Sequence, residues 1–293
     1  MLELRASGLE MAIIVQQVID RIQQQIGAAW KSQSADVFHA GNRDSEVTGI
    51  VTSFAPSLDV LRRAVAARMN LIVSREAPFW AAGRGGDRSA AQESMNHDST
   101  YRFKRDFIQS NHLIVWRFFD NWNARKPDGQ LVGLARALGW EKHYKPSGGE
   151  PWTRENGYFS LPHATLLETA ASIKRTLKMK SIRIIGDPGT RVTKAALSHG
   201  MYQVTDLEKH LEEPGVDLVV IGEPVEWEAS PYFADLVASG QKKGLIVLGQ
   251  EVSEEPGSGE MANWLRSFNQ DVPVEWIPTG EPAWMPNQRG GAE

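Results

Sequence analysis

The sequence predicts an α/β protein of two similar lobes with mixed or mostly parallel sheets, and three observations carry that prediction. Val47-Thr-Gly-Ile-Val-Thr52, a helical stretch and Asn70-Leu-Ile-Val-Ser74 make a strand-helix-strand run, the pattern of a parallel βαβ unit. The same alternation returns in the second half, with strand-like runs at Ile182 to Ile185, Val216 to Ile221, Leu245 to Leu248 and Val274 to Ile277. Between the halves, Lys145 to Arg154 holds two glycines and two prolines and reads as a linker. The lobes are therefore set at residues 11–145 and 155–280, with the terminal segment free to pack back on the first lobe.

Along the chain, Val15, Val18, Ile19, Ile22 and Ile26 recur at helical spacing and leave Gln16, Asp20, Gln23 and Gln24 to solvent. Residues 1–10 carry no such pattern, so Met11 competes with Met1 as the start. Pro56-Ser57 opens a helix carrying Leu58, Leu61, Val65 and Met69. Residues 81–98 have the Gly, Ser, Ala and charge content of a surface loop, after which Ser99 is placed as the cap of a helix through Phe107. A third strand spans His112 to Phe118, and a helix around Leu131 to Leu138 closes on Gly139. In the second half, helices are expected near Ala164 to Leu177, Leu207 to Leu211, Tyr232 to Ser239 and Gly259 to Phe268.

With 293 residues, 41% of them hydrophobic and 23% charged, the chain can bury a substantial core. A net charge of -4 gives no electrostatic attraction to nucleic acid or an anionic membrane, so neither is expected as a partner. The apolar cluster Met11 to Val15 is too short for a signal-peptide core or a membrane span. The absence of cysteine excludes disulfides, thiolate metal sites and a cysteine nucleophile, and accords with a cytoplasmic location. A small-molecule ligand and further copies of the chain remain as partners.

Polar residues gather at the predicted strand exits, where open α/β sheets place their function. They are Arg75 with Glu76, and Asp120 with Asn123. Each has an ordinary reading as well. Arg75-Glu76 is a common kind of surface pair, Asp120 to Asn123 suits a turn, and Ser253-Glu254-Glu255 suits a helix start. Gly186-Asp-Pro-Gly-Thr190 lacks the spacing of a phosphate loop and reads as a tight turn. The seven histidines are scattered without a metal-binding helical pair, and only His97, beside Asp98, draws notice. The ten tryptophans suit the core or subunit contacts.

Taken in order, Val47-Thr-Gly-Ile-Val-Thr52 with Asn70-Leu-Ile-Val-Ser74, then Trp116-Arg-Phe-Phe-Asp120, Gly222-Glu223 with Glu226-Trp-Glu228, and Gly249-Gln-Glu-Val-Ser-Glu254 resemble the Nif-three-like family. That family comprises two-lobed α/β proteins that assemble into rings of six and hold two metal ions per subunit. The resemblance implies a homo-oligomer, a hexamer, whose ancestral activity is metal-dependent, cyclohydrolase-like hydrolysis of a small, nucleotide-derived substrate. It also implies histidines where Arg75, Phe119 and Gln250 stand, and an aspartate where Asn123 stands. Guanidinium, phenyl and carboxamide do not replace imidazole as ligands. No tightly bound cofactor is therefore expected. A weak divalent site for Mg, Mn or Zn would rest on Glu76, Asp120 and Glu254. The preferred alternative is that Arg75 fills the metal position, held by Glu254 and by at least one of Glu76 and Asp120. The corresponding functional alternative is a non-catalytic assembly or ligand-binding protein that keeps the family architecture.

Overall fold

The computed structural model describes residues 12–79, 95–144 and 151–286. Most of the loop expected over 81–98, and the first part of the 145–154 linker, lie outside the described residues.

Helix α1 (Val15–Gln25) buries the predicted stripe, Val15, Val18, Ile19 and Ile22. Strand β1 (Phe38–Ala40) follows, then β2 (Ile50–Ser53), α2 (Leu58–Ala66) and β3 (Leu71–Ser74). Ser57 caps α2 by accepting from the Val60 N–H, as the sequence indicates. Helix α3 (Ser99–Ser110) is capped one residue earlier than expected, because the Asp98 carboxylate accepts from both Thr100 and Tyr101 N–H groups. Strand β4 (Ile114–Arg117), the short α4 (Asp120–Ala124) and α5 (Gly129–Ala137) complete the first half.

In the second half, β5 (Tyr158–Thr165) and β7 (Arg191–Leu197) are strands the sequence reading omits, and the helix placed from Ala164 begins at Leu166 as α6 (Leu166–Thr176). Thr165 sets that start through a reciprocal cap with Glu168. The remaining elements are β6 (Arg183–Ile185), β8 (Met201–Tyr202), α7 (Val204–Glu212), β9 (Leu218–Ile221), β10 (Glu223–Pro224), α8 (Glu226–Ala238), β11 (Gly244–Val247), α9 (Gln250–Arg266) and β12 (Val274–Trp276).

Two five-stranded mixed sheets result, ordered β1-β4-β3-β2-β12 and β5-β7-β9-β11-β6. In the first, β4, β3, β2 and β12 run parallel and β1 antiparallel. In the second, β7, β9 and β11 run parallel between two antiparallel edges. Helices cover both faces of each sheet, which is why β2, β3, β9 and β11 are buried along their whole length. Strand β12, sequentially part of the second half, pairs with β2 and belongs to the first sheet.

Helix α9 leaves the second sheet at the end of β11 and adds Met261, Ala262 and Leu265 to the core under the first sheet. It starts nine residues before the expected Gly259 and crosses α5 at very short range. A Cβ on Gly133 would lie 2.5 Å from the Pro256 carbonyl and 2.7 Å from the Gly257 Cα, both backbone atoms. Gly133→Ala must therefore spread the two helices. We expect it to lower stability by about 1–3 kcal/mol, read from urea denaturation; an unchanged midpoint would show that the crossing is looser than described.

Candidate functional site

The parallel strands of both sheets point their C-terminal ends toward one region, and the side chains that follow those ends meet there. Arg75 follows β3, Phe119 follows β4, His199 follows β7, and Gln250 to Glu254 form the first turns of α9 after β11. Asp128 and Gln130 come from the start of α5.

Arg75 is only 3% exposed. Its guanidinium donates to Glu254 Oε1 at 2.5 Å and to Asn123 Oδ1 at 2.8 Å. The Gln130 amide, oriented as its neighbours require, accepts from Arg75 Nη1 and Nε at 3.2 Å and donates to the Glu254 carbonyl at 3.0 Å. The centroid of the Phe119 ring lies 4.3 Å from the Arg75 guanidinium carbon and 4.5 Å from that of Arg117, so one aromatic ring meets two cations. The fork of donors and the flat face of arginine are both used, which a lysine could not reproduce.

Glu254, wholly buried, also meets His199: the Nδ1 to Oε1 distance is 3.0 Å. On the other side of the ring, His199 Nε2 lies 3.1 Å from Asp128 Oδ2. A carboxylate can only accept, so both ring nitrogens donate and the buried imidazole carries a positive charge. The site thus balances two cations, Arg75 and His199, against two carboxylates, Glu254 and Asp128. Asp128 is fixed by a second duty, capping α5 through the Gln130 and Leu131 N–H groups.

The titration shifts follow this arrangement. Burial acts to raise Glu254, but the His199 hydrogen bond and the Arg75 charge outweigh it and hold the carboxyl at about 2. Burial likewise opposes ionisation of Asp128, and the His199 charge and hydrogen bond reverse it, leaving its pKa lowered. His199 is penalised by burial and rescued by Asp128 and then Glu254, so its pKa is raised.

Two small features bring the strand ends this close. Gly200 has φ +72°, and a Cβ there would sit 2.8 Å from Glu254 Oε1. At Gly222 a Cβ would fall 2.5 Å from both the Gly200 carbonyl and Ser253 Oγ. Ser253 Oγ accepts from the Gly200 N–H and donates to the Gln250 carbonyl, tying the end of β7 to the first turn of α9.

The residues singled out in the sequence do not all converge. Arg75, Asn123 and Glu254 meet directly, and Gln250 Nε2 reaches Glu254 Oε2 at 3.3 Å. Asp120 does not hold Arg75. Its Oδ2 accepts from the Ala35 N–H, because Asp36 draws the loop before β1 onto the start of α4 by accepting from the Phe119, Asp120 and Asn121 N–H groups. Asn123, one turn later, faces Arg75 instead. Glu76 pairs with Arg117 at 3.3 Å, and burial raises its pKa against the charges of Arg117 and Arg75. Glu223 sits in the β8/β10 ladder, its N–H bound to the Gly200 carbonyl. His97 is exposed. His199 and Asp128, which the sequence reading passes over, are central.

The model of the Duf34/NIF3 (NGG1p interacting factor 3) family matches residues 14–281. The chain belongs to this family. A Clostridium acetobutylicum protein named GTP cyclohydrolase 1 type 2 homolog is 22% identical over 196 residues, 66% of this chain and 69% of that protein. The fold is similar to that of a Bacillus cereus protein related to NIF3, with a TM-score of 0.69, 12% identity and coverage of 94% of this chain and 99% of the other. A Staphylococcus aureus hypothetical protein matches with a TM-score of 0.65, 15% identity and coverage of 94% and 99%. Among the described residues, no group of three or more histidine, aspartate or glutamate side chains is arranged to hold a metal ion. Glu254 and Asp128 instead direct their oxygens at protein cations, and Phe119 has no donor atom. These residues do not fit a two-metal site, and no chemical step is assigned to one.

Proposed function

We propose that this NIF3 protein is a cytoplasmic homo-oligomer, a hexamer in its family's manner, that has exchanged the metal-dependent hydrolytic site for an internal charge network and works by assembly or ligand binding. The observation that carries this reading is the buried Arg75–Glu254 ion pair, with side chains 4% and 1% exposed, in which a fixed cation occupies the carboxylate a metal would need. His199 between Asp128 and Glu254 supports it, since it supplies the second positive charge. A hydrolytic reading on a small, nucleotide-derived substrate draws its support from the likeness to the Clostridium protein named as a GTP cyclohydrolase homolog. It would require a divalent ion on oxygen donors such as Glu76, whose carboxylate is already paired with Arg117.

Elemental analysis of untreated protein, run beside light scattering across a wide concentration range, separates the readings. The proposal expects zinc, iron and manganese well below one per chain in a particle several chains in size. Near-stoichiometric metal would overturn the exchange of the site, and a monomer at every concentration would overturn the assembly.

A further inference from the structure

Helix α7 has nine residues and buries only two of them, Leu207 and His210. Helix α6, with eleven residues, buries four. So short a helix depends on its packed face, because it does not persist alone in water. Half of that face is an imidazole. Leu207 joins the apolar cluster of Val216, Val219 and Phe233. His210, 2% exposed, lies between two phenols: its Nδ1 is 3.4 Å from the Tyr158 hydroxyl and its Nε2 is 3.3 Å from that of Tyr202.

The neutral ring satisfies both contacts. Tyr202 gives its proton to the Arg154 carbonyl at 2.9 Å, so Nε2 donates to Tyr202 and Nδ1 accepts from Tyr158. A second proton has no such place. Nδ1 would lose the donor it faces, and a charge would enter the core with no carboxylate paired to it among the described residues. The neighbouring groups do not supply one. Burial pushes the Tyr202 phenol up to about 12, so it stays neutral, and its other contact is the Ser198 hydroxyl. The Arg154 guanidinium carbon lies 4.2 Å from the Tyr202 ring centroid, and the Lys194 ammonium, paired with Glu213, lies 5.4 Å from that of Tyr158. Each phenol that holds His210 therefore faces a cation already. Strand β9, which packs against α7, brings no ionisable group, and Tyr232 of α8 faces Glu208 and Glu212. Burial dominates over the distant charges, of which Asp206 and Glu155 favour the protonated ring and Arg154 and Lys209 oppose it, and holds the imidazole down at about 4.

We propose that α7 is an acid-released segment: proton uptake by His210 frees this helix from the second sheet while the rest of the fold stays closed. The sign follows from where the proton binds. An exposed imidazole takes it near pH 6.5 and the buried one only near 4, so the open state gains steadily as pH falls between those values. His199, with its raised pKa, acts in the opposite direction. The device does not rest on the exchange of the metal site, since none of its residues hydrogen-bonds to Arg75 or Glu254.

Hydrogen exchange of the intact protein between pH 7.5 and 5, corrected for the intrinsic effect of pH, reads the opening of α7 above the range in which Glu254 loses its contribution. The opening constant of the α7 amides is expected to rise roughly 25-fold over that window, with no matching rise at α8 and β9. In His210→Phe, which fills the same space without a titrating nitrogen, it should stay flat. Nuclear magnetic resonance of the parent imidazoles supplies a check that needs no variant: His210 should not titrate above pH 5. An equal rise in His210→Phe, or no rise in the parent, would overturn the proposal. So would protection lost at α8 and β9 together with α7, or a His210 that titrates near 6.5 in the folded protein.

Discussion

Arg75→Ala is expected to lower the unfolding free energy by about 3–5 kcal/mol, the range found when one partner of a buried pair is removed. The size follows from what remains. Glu254 would keep its place at the start of α9, fully buried, with His199 and the Gln250 amide as its only named donors. Asn123 Oδ1 and the Gln130 amide oxygen would lose their donor in the same step. Phe119 would keep only Arg117 against its ring. A surface arginine removed to alanine changes stability by less than about 1 kcal/mol, so the two cases are well separated. Urea denaturation of the two proteins decides between them. A loss under about 1 kcal/mol would mean that water, not protein, solvates Arg75.

The second large effect is on acid stability. Glu254 is held at about 2, against 4.5 for an ordinary glutamate, so it stabilises the fold above pH 4.5 and that contribution disappears as pH falls through about 2. The difference amounts to on the order of 3 kcal/mol. Asp128, also lowered, acts in the same direction. His199 has the opposite sign. Its pKa is raised from 6.5, so its contribution is complete below pH 6.5 and is lost as pH rises through the folded value. Glu251 titrates in the same range, so each contribution is best read as a difference between parent and variant. The parent's advantage over Glu254→Gln should shrink from pH 4.5 to 2, and its advantage over His199→Gln should shrink above pH 6.5. Differences flat with pH would contradict the charge assignment.

Much of the fold was legible because burial on both faces writes itself as continuous apolar runs. Ile50, Val51, Leu71, Ile72 and Val73 are all fully buried, and so are Val219 and Val220. Strand β5 escaped because it is an edge strand: Ser160, Pro162 and His163 interrupt it, and its middle is partly exposed. Strand β7 opens on Arg191, Thr193 and Lys194, where polar residues hide the run that ends in Ala195, Ala196 and Leu197. The start of α9 was hidden by Pro256 and Gly257, which suit a tight crossing with α5, and by Gly259, which faces Trp276; together they read as a break.

In the site, the Arg75–Glu254 contact was reachable from charge and from the family pattern together. Asp120 was misplaced because sequence order cannot say which of two polar residues on one short helix faces inward. His199 and Asp128 stand 71 residues apart, and neither belongs to a local pattern. The one available signal was weak: a histidine followed by glycine, directly after a strand.

Strand β12 closes the first sheet with residues that follow the whole second sheet in the chain, and α9 covers one face of the first sheet only after leaving the second. The two halves are therefore interlocked by connectivity. As the chain is made, β2, β3 and β4 emerge early, but the partner for the free edge of β2 arrives more than 200 residues later. Until then that edge offers unpaired backbone groups to any extended segment nearby. Closing so long a loop is also slow, since its entropy must be lost before the pairing is gained. The first half can hold its sheet order early, yet it becomes a finished domain only once β12 has been made.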